Sequence, residues 1–232
     1  MPKGLSTAEL PPLEEPRSRT VTDQIFGLLY DRVVNLTLPP GAKLSEAEVA
    51  AQMGVSRQPV RDAFYRLSQM GFIQIRPQRA TFVTPISEEA VLQAYFIRAA
   101  LEEACMRVAA QRLTDDQLDA LGHVLDLQAR EIGAGNRAVF HALDDRFHHD
   151  ICRFAGLEFV WTLVKDNKGH MDRARYLSLS YGADTALAEH GQILDALRRR
   201  DPDAAVAAIR QHLSRIEGII ARLRIDQPRV FG

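Results

Sequence analysis

The feature that most constrains the fold of this sequence is an abrupt change near Thr84–Ser87 in how often proline and glycine occur. Before that point prolines and glycines recur at short intervals, at Pro39, Pro40, Gly41, Gly54, Pro59, Gly71 and Pro77. After Pro85, proline is absent until Pro202, and apolar residues recur every three or four positions. That spacing is typical of amphipathic helices, whereas frequent proline and glycine favour short elements joined by turns. The sequence therefore predicts a small mixed domain followed by an all-α helical bundle, and a mainly α fold overall.

Bulk composition narrows the functional classes. The 232 residues are 46% hydrophobic, which is enough for a sizeable core, and the formal net charge of -1 leaves room only for a local basic patch. Cys105 and Cys152 lie far apart and form no CxxC motif, so we expect a reducing, cytoplasmic location. No segment is apolar and long enough for a membrane span, and residues 1–19 are expected to form a disordered arm rather than a signal peptide.

Residues 20–86 show the pattern of three helices in a small domain. An apolar stripe predicts a helix over Val21–Leu36. After a proline–glycine turn, Ser45 is placed to cap a helix over Glu46–Met53, and Ser56 is placed to cap a helix over Arg57–Met70. Gly54 reverses the chain between the two shorter helices, which is the arrangement of a helix-turn-helix.

A hairpin is predicted directly after these helices. Phe72–Arg76 and Thr81–Thr84 are expected to form two short strands joined by residues 77–80. A helix-turn-helix followed by such a hairpin is a winged helix-turn-helix. In that fold the N-terminal end of the second short helix enters the major groove of double-stranded DNA.

The start of that helix and the predicted hairpin carry the side chains that DNA recognition needs. Arginine pairs with guanine edges or phosphates, glutamine pairs with adenine, and serine beside unpaired backbone N–H groups suits phosphate. We therefore expect DNA contacts from Ser56, Arg57, Gln58, Arg61, Arg76 and Arg79. The alternative is a protein-binding helix-turn-helix whose arginines form a solvated face, but the caps, the turn and the wing agree with one another.

These segments resemble the GntR superfamily of transcriptional regulators. The matching runs, all within residues 20–85, are Leu38–Gly41, Leu44–Glu46, Val55–Ala63 and Gly71–Arg79. The resemblance implies that Arg57 and Arg61 contact DNA. The wing of that family usually has glycine where this chain has Ala80, and a positive φ at that position would be costly for alanine.

Residues 87–232 contain a candidate metal site. Asp144 and His148 are four residues apart on a predicted helix and share one of its faces. His190 and His212 have apolar neighbours at helical intervals, so both are expected to face the bundle interior. A buried imidazole is costly unless it is hydrogen-bonded or ligated, and each histidine taken alone could equally be a satisfied core residue. Asp145 is the alternative carboxylate, because a spacing of three also shares a face.

The second domain resembles the helical FCD effector domain of the FadR-like branch. The matching runs are Arg98–Glu102, Asp144–His148, Glu189–Ile193 and Gln211–His212, within residues 88–225. The resemblance implies that Asp144, His148, His190 and His212 together hold a divalent transition metal. Mixed nitrogen and oxygen donors suit zinc first, with nickel, cobalt, manganese or iron as alternatives.

Arg98 is the candidate receptor for an effector, because a guanidinium near a metal suits a small carboxylate. The alternative is an ion pair with Glu102, four residues further on. The expected function is a homodimeric transcriptional regulator that binds operator DNA under the control of a small organic acid at the metal site. A metal-sensing factor is the closest alternative. A helical-bundle metalloenzyme is disfavoured, because no further acid–base partner is evident and a helix-turn-helix has no role in such an enzyme.

Overall fold

The computed structural model describes residues 19–76, 80–178 and 182–231, and it is mainly α-helical, as predicted. The helices are α1 (Val21–Val34), α2 (Glu46–Met53), α3 (Arg57–Gln69), α4 (Glu88–Arg112), α5 (Asp115–Gly133), α6 (Arg137–Phe154), α7 (Glu158–Asn167), α8 (Gly169–Ser178), α9 (Ala183–Arg198) and α10 (Pro202–Asp226), and a 3₁₀ turn follows at Pro228–Val230. The strands are β1 (Lys43–Leu44), β2 (Ile73–Gln74) and β3 (Thr81–Val83). The predicted arm is residues 1–19, and all of it except Arg19 lies outside the described residues.

Local capping signals set the helices of the N-terminal domain. Helix α2 has the predicted bounds, since Ser45 Oγ accepts a hydrogen bond from the backbone N–H of Glu48 and Gly54 ends the helix in a left-handed conformation with φ 65°. Helix α1 ends two residues before its predicted end, because Asn35 is the C-cap and Leu36 takes a positive φ of 64°. Helix α3 begins at the predicted Arg57 but ends one residue before the predicted Met70, which is its C-cap.

The wing differs from the prediction in its strand number. It is a three-stranded antiparallel sheet in the order β1-β3-β2, with Lys43 opposite Phe82 and Ile73 opposite Val83. Both predicted strands are present and pair with each other, although they are shorter than predicted. The prediction missed β1, because its two residues are too few to show an alternating pattern. Among the described residues, Leu36 and Arg200 are non-glycine residues with a positive φ. The φ angle of Ala80 involves residue 79, which lies outside the described residues, so the cost of alanine at that position stays a prediction.

Each part of the chain has its own hydrophobic cluster. In the N-terminal part, Ile25 and Leu29 of α1 pack with Phe64 and Leu67 of α3 and with Phe72. A larger cluster unites α4, α5, α6, α9 and α10 through the side chains of Met106, Leu121, Phe147, Ile193 and Leu213. Burying one such side chain contributes about 1.5–3 kcal/mol, so these clusters hold the helices that carry the candidate sites.

The two parts meet at the linker and at α8. The backbone N–H of Ile86 donates to the Val230 carbonyl oxygen at 2.7 Å, which ties the linker to the C-terminal turn. Helix α8 contacts α1 and also packs against α4 and α10. Within the described ranges, no helix has the length and apolar character needed to cross a membrane.

Candidate metal centre and nucleic-acid interface

Four buried side chains from three helices converge in the centre of the bundle. Asp144 and His148 come from α6, His190 from α9 and His212 from α10, and one ligand atom of each lies within 4.8 Å of the others. His190 Nε2 is 3.3 Å from His212 Nε2 and 3.5 Å from Asp144 Oδ1. All four side chains are less than 9% exposed. The structure therefore brings together the whole predicted ligand set.

Each histidine of this cluster is oriented by a hydrogen bond from its Nδ1–H. The acceptor is Glu102 Oε2 for His148 at 2.6 Å, Gln128 Oε1 for His190 at 2.8 Å, and Glu189 Oε2 for His212 at 3.0 Å. A proton on Nδ1 leaves a lone pair on Nε2, which then faces the centre of the cluster. Such outer hydrogen bonds orient histidine ligands in metal sites.

Two ligand atoms of the cluster have no hydrogen-bond partner among the described residues. These atoms are Asp144 Oδ1 and His148 Nε2, and both are buried. The close approach of His190 Nε2 and His212 Nε2 also places two lone pairs against each other. A buried polar atom without a partner is costly, and a cation at the centre of the cluster would satisfy these atoms together.

The electrostatics of the cluster also match a divalent cation. Burial lowers the pKa of His190 well below its usual value, and His212 lowers it further. Burial also lowers the pKa of His212. Burial alone would raise the pKa of Asp144, but Arg175 and the histidines bring it well below its ordinary range. Neutral imidazoles and an ionised carboxylate are the protonation states that metal binding requires.

A cavity of about 60 Å³ adjoins the cluster. Its polar lining residues are Asp144, Ser178, His212 and three arginines, Arg98, Arg175 and Arg215, and apolar residues form the rest of its wall. Arg175 donates to Asp144 Oδ2 at 2.5 Å. The cavity lining therefore combines cationic and apolar side chains.

The structure shows one of the two arrangements that the sequence left open for Arg98, the ion pair with Glu102. Arg98 Nε donates to Glu102 Oε1 at 2.5 Å. Nη1 and Nη2 are buried and have no partner among the described residues, and the side chain lines the cavity. The ion pair therefore uses one edge of the guanidinium and leaves two nitrogens for a carboxylate.

The alternative carboxylate Asp145 and two further histidines of α6 lie outside the cluster. Asp145 pairs with Lys168 at 2.8 Å. His141 stacks on Tyr176 with ring centroids 4.4 Å apart. His149 is partly exposed, 3.5 Å from Glu158. The structure therefore selects Asp144 over Asp145 for the cluster.

The N-terminal end of α3 presents the predicted arginines to solvent. The side chains of Arg57 and Arg61 are 63% and 59% exposed, and each lies within 3.7 Å of Glu46. The opposite face of α3, with Val60 and Phe64, is buried. Arg66 lies elsewhere, since it donates to Asp23 at 2.7 Å and covers the ring of Phe26. Arg57 and Arg61 are thus exposed together where a recognition helix meets DNA.

Three of the other predicted DNA contacts, Ser56, Gln58 and Arg76, are exposed as well. Ser56 occupies the N-cap of α3 but makes no side-chain capping bond, which corrects the predicted cap and leaves its hydroxyl available. Gln58 donates to Asp62 at 2.8 Å. Arg76 donates to Gln74 and lies over the Phe82 ring. Arg79, together with residues 77 and 78 of the predicted hairpin tip, lies outside the described residues.

Several residues of the site were not predicted from the sequence. Gln128 is fully buried and its amide is held by a bond to the Leu143 carbonyl, so that Oε1 faces His190. Arg175 and Gln128 come from helices without a histidine ligand and have no motif around them. Glu189 precedes His190 directly, and that adjacency was its only signal. Tyr65 follows Arg61 by one turn and is 60% exposed on α3.

Comparison with known proteins agrees with both parts of the structure. The family described as bacterial regulatory proteins, gntR family, matches residues 21–83, and the FCD domain matches residues 93–215. The chain is 37% identical to the HTH-type transcriptional repressor RspR of Escherichia coli, over 93% of this chain and 95% of that protein. It is 30% identical to the Nta operon transcriptional regulator of Aminobacter aminovorans, over 76% of this chain and 83% of that protein.

A solved structure shares the fold. E. coli McbR/YncC superposes with a TM-score of 0.73 at 19% sequence identity, covering 88% of this chain and 99% of that one. The predicted winged helix-turn-helix followed by a helical FCD domain is thus confirmed, and the domains indicate a regulator rather than an enzyme. This chain belongs to the GntR family of bacterial transcriptional regulators, in the branch with an FCD domain.

Proposed function

We propose that this chain is a homodimeric regulator whose affinity for operator DNA is set by a metal ion and a small organic acid. Asp144, His148, His190 and His212 would hold the ion, with zinc as the first choice and nickel, cobalt, manganese or iron as alternatives. Arg98 would bind the carboxylate of the acid. Binding would change the orientation of the winged domains about the linker, so effector and operator affect each other's affinity by the same factor.

The observation that carries this proposal is the approach of His190 Nε2 to His212 Nε2 at 3.3 Å, with both Nδ1 atoms bonded to acceptors. Two lone pairs at that distance repel each other unless a cation lies near both. Asp144 Oδ1, also without a partner among the described residues, is 3.5 Å from His190 Nε2. The negative charge of the Asp144 carboxylate favours a divalent cation, rather than a shared proton, between these atoms.

The charge around the cavity supports an acidic effector. A divalent ion would add two positive charges beside Arg175, whose own pair with Asp144 leaves one carboxylate oxygen for the metal. An anion would offset that excess and accept hydrogen bonds from Arg98 Nη1 and Nη2. A volume of about 60 Å³ favours an acid of a few carbon atoms over a long acyl chain.

Exposed apolar surface on the helical domain supports a dimer on a pseudo-palindromic operator. A pair of recognition helices related by a two-fold axis would reach half-sites about 34 Å apart, the usual spacing of one DNA turn. Apolar side chains are exposed on α4 and α7, with Phe96 at 73%, Phe159 at 64% and Leu163 at 46% exposure. Exposed apolar patches of this kind favour association between subunits.

The decisive experiment measures operator affinity as a function of metal and acid. An operator duplex is first enriched from a random library, and its dissociation constant is then measured with chelator-stripped protein, with Zn²⁺, and with Zn²⁺ plus malate. We expect the largest change with both ligands, and we expect His148→Gln to abolish it. His149→Gln is the matched control, because His149 is next to His148 in the sequence but its ring lies outside the cluster.

Each outcome has a direct interpretation. A full change with Zn²⁺ alone would favour a metal sensor over an acid-responsive regulator. Equal operator affinity under all three conditions would contradict control by this site, provided that the wild-type protein binds the enriched duplex.

A further inference from the structure

Helix α8 joins the candidate metal centre to the DNA-binding domain through contacts at both of its ends. Near its C-terminal end, Arg175 donates to Asp144 at 2.5 Å and to Asp172 at 3.2 Å. Its N-terminal half contacts the winged domain through Gly169, His170 and Arg173. The helix has ten residues, so one rigid element of about 15 Å carries both sets of contacts.

His170 fixes α8 to the end of the recognition helix. Its Nε2–H donates to the carbonyl oxygen of Met70, the C-cap of α3, at 2.8 Å. Its ring stacks on Phe72 with centroids 4.3 Å apart and an interplanar angle of 12°. The imidazole therefore contacts the residues that connect α3 to the wing. A movement of α8 would displace these residues and, with them, the DNA-binding helix α3.

Arg173 fixes α8 to the linker. Its guanidinium donates to the carbonyl oxygen of Thr84 at 2.6 Å and to that of Pro85 at 3.3 Å. The side chain is fully buried, and no carboxylate pairs with it within the described ranges. Burial lowers its pKa to about 10. A buried cation without a counter-ion is costly, so Arg173 depends on its hydrogen bonds to these two carbonyl oxygens.

The start of α8 is packed so closely against the winged domain that no further side-chain atom fits there. A Cβ atom on Gly169 would lie 2.8 Å from Phe72 Cζ and would also collide with the Tyr30 hydroxyl. Close-packed contacts of this kind transmit small displacements instead of absorbing them. A shift of Arg175 at the metal end of α8 would therefore reach the winged domain.

We infer that His170 and Arg173 are the positioning residues through which the metal centre acts on the DNA-binding domain. The inference rests on the proposed function and specifies its route. Asp144 binds Arg175 through one carboxylate oxygen and would bind the metal through the other. Metal and effector binding would therefore change the contact between Asp144 and Arg175 of α8. The competing route runs through α4, which starts directly after the linker and carries Arg98 and Glu102.

The test uses Arg173→Met, which removes the charge and both carbonyl contacts but retains an apolar stem. Operator affinity is measured with chelator-stripped protein and with Zn²⁺ plus malate, and the ratio of the two dissociation constants gives the coupling factor. Allosteric coupling factors usually lie between about 5 and 150. We expect Arg173→Met to bring the factor within about twofold of unity, while the Zn²⁺ affinity from chelator competition stays at the wild-type value.

Control variants separate the route from general damage. Arg107→Met changes an exposed arginine paired with Asp203, far from the domain contact, and should keep wild-type coupling. His170→Phe keeps a ring on Phe72 but removes the bond to Met70, and should reduce coupling without unfolding the chain. Arg173→Lys, which restores the charge, should recover part of the coupling.

The outcomes distinguish the route from the function. Wild-type coupling that persists in both Arg173→Met and His170→Phe would overturn the inference and assign the route to α4, while the proposed function would stand. A wild-type coupling factor of one would contradict the proposed function and, with it, any route from the metal centre.

Discussion

Glu102 accepts a hydrogen bond from His148 Nδ1 at 2.6 Å through one carboxylate oxygen and binds Arg98 Nε at 2.5 Å through the other. One buried carboxylate therefore orients both a candidate metal ligand and the candidate effector receptor. Burial by itself would raise the pKa of Glu102, but Arg98 and His148 lower it below the ordinary value, so the carboxylate stays ionised.

Glu102→Gln should weaken metal binding by about 10- to 100-fold, because the loss of an outer partner frees the tautomer and orientation of His148. The measurement is Zn²⁺ affinity by chelator competition. Glu103→Gln is the matched control, since Glu103 pairs with Arg210 outside the cluster. Equal Zn²⁺ affinities for the two variants would show that Glu102 does not support a metal ligand.

Arg57→Ala and Arg61→Ala should each cost about 1–3 kcal/mol of specific operator binding, because both side chains are exposed at the start of α3. The measurement is anisotropy titration of an enriched operator duplex against a scrambled one. Arg66→Ala serves as the control on the same helix, because Arg66 binds Asp23 of α1. The DNA-binding face would have to be sought elsewhere if Arg66→Ala weakened specific binding more than the other two variants.

His170→Phe should flatten part of the acid limb of the stability profile. Burial lowers the pKa of His170, Arg173 also lowers it, and the bond to Met70 partly offsets both. The folded state therefore binds a proton less readily than the unfolded state does, and wild-type stability falls as pH drops below about 6.5 toward the lower folded pKa. Denaturant midpoints at several pH values, compared between wild type and variant, isolate this contribution. Identical profiles would contradict the buried, neutral ring.

Gly169→Ala should lower the free energy of unfolding by about 1–3 kcal/mol, because its methyl group would collide with Phe72 and Tyr30. Gly218→Ala is the matched control. A Cβ at Gly218 meets no described atom within 4 Å, so alanine in that helix should stabilise by about 0.5–1 kcal/mol. Urea denaturation measures both. If the two substitutions gave the same change, α8 would not be packed against the winged domain as the structure shows.

Much of the fold was predictable because its signals are local. Ser45 and Gly54 mark the two ends of α2, and both act within one helical turn of the residues they cap. The i,i+4 spacing of Asp144 and His148 places two ligand candidates on one face regardless of the rest of the molecule. Strand β1 was missed for the converse reason, since its two residues become a strand only by pairing with β3.

The sequence by itself determined the helix-turn-helix, the exposed arginines of α3 and the helical character of the second domain, because capping and periodicity act over a few residues. Only the tertiary structure decided which carboxylate joins the histidine cluster, which side chains orient the imidazoles, and how α8 reaches both parts of the chain. Gln128 and His190, for example, are 62 residues apart and meet only because α5 packs against α9. Contacts of that range depend on how helices pack, and no local pattern encodes them.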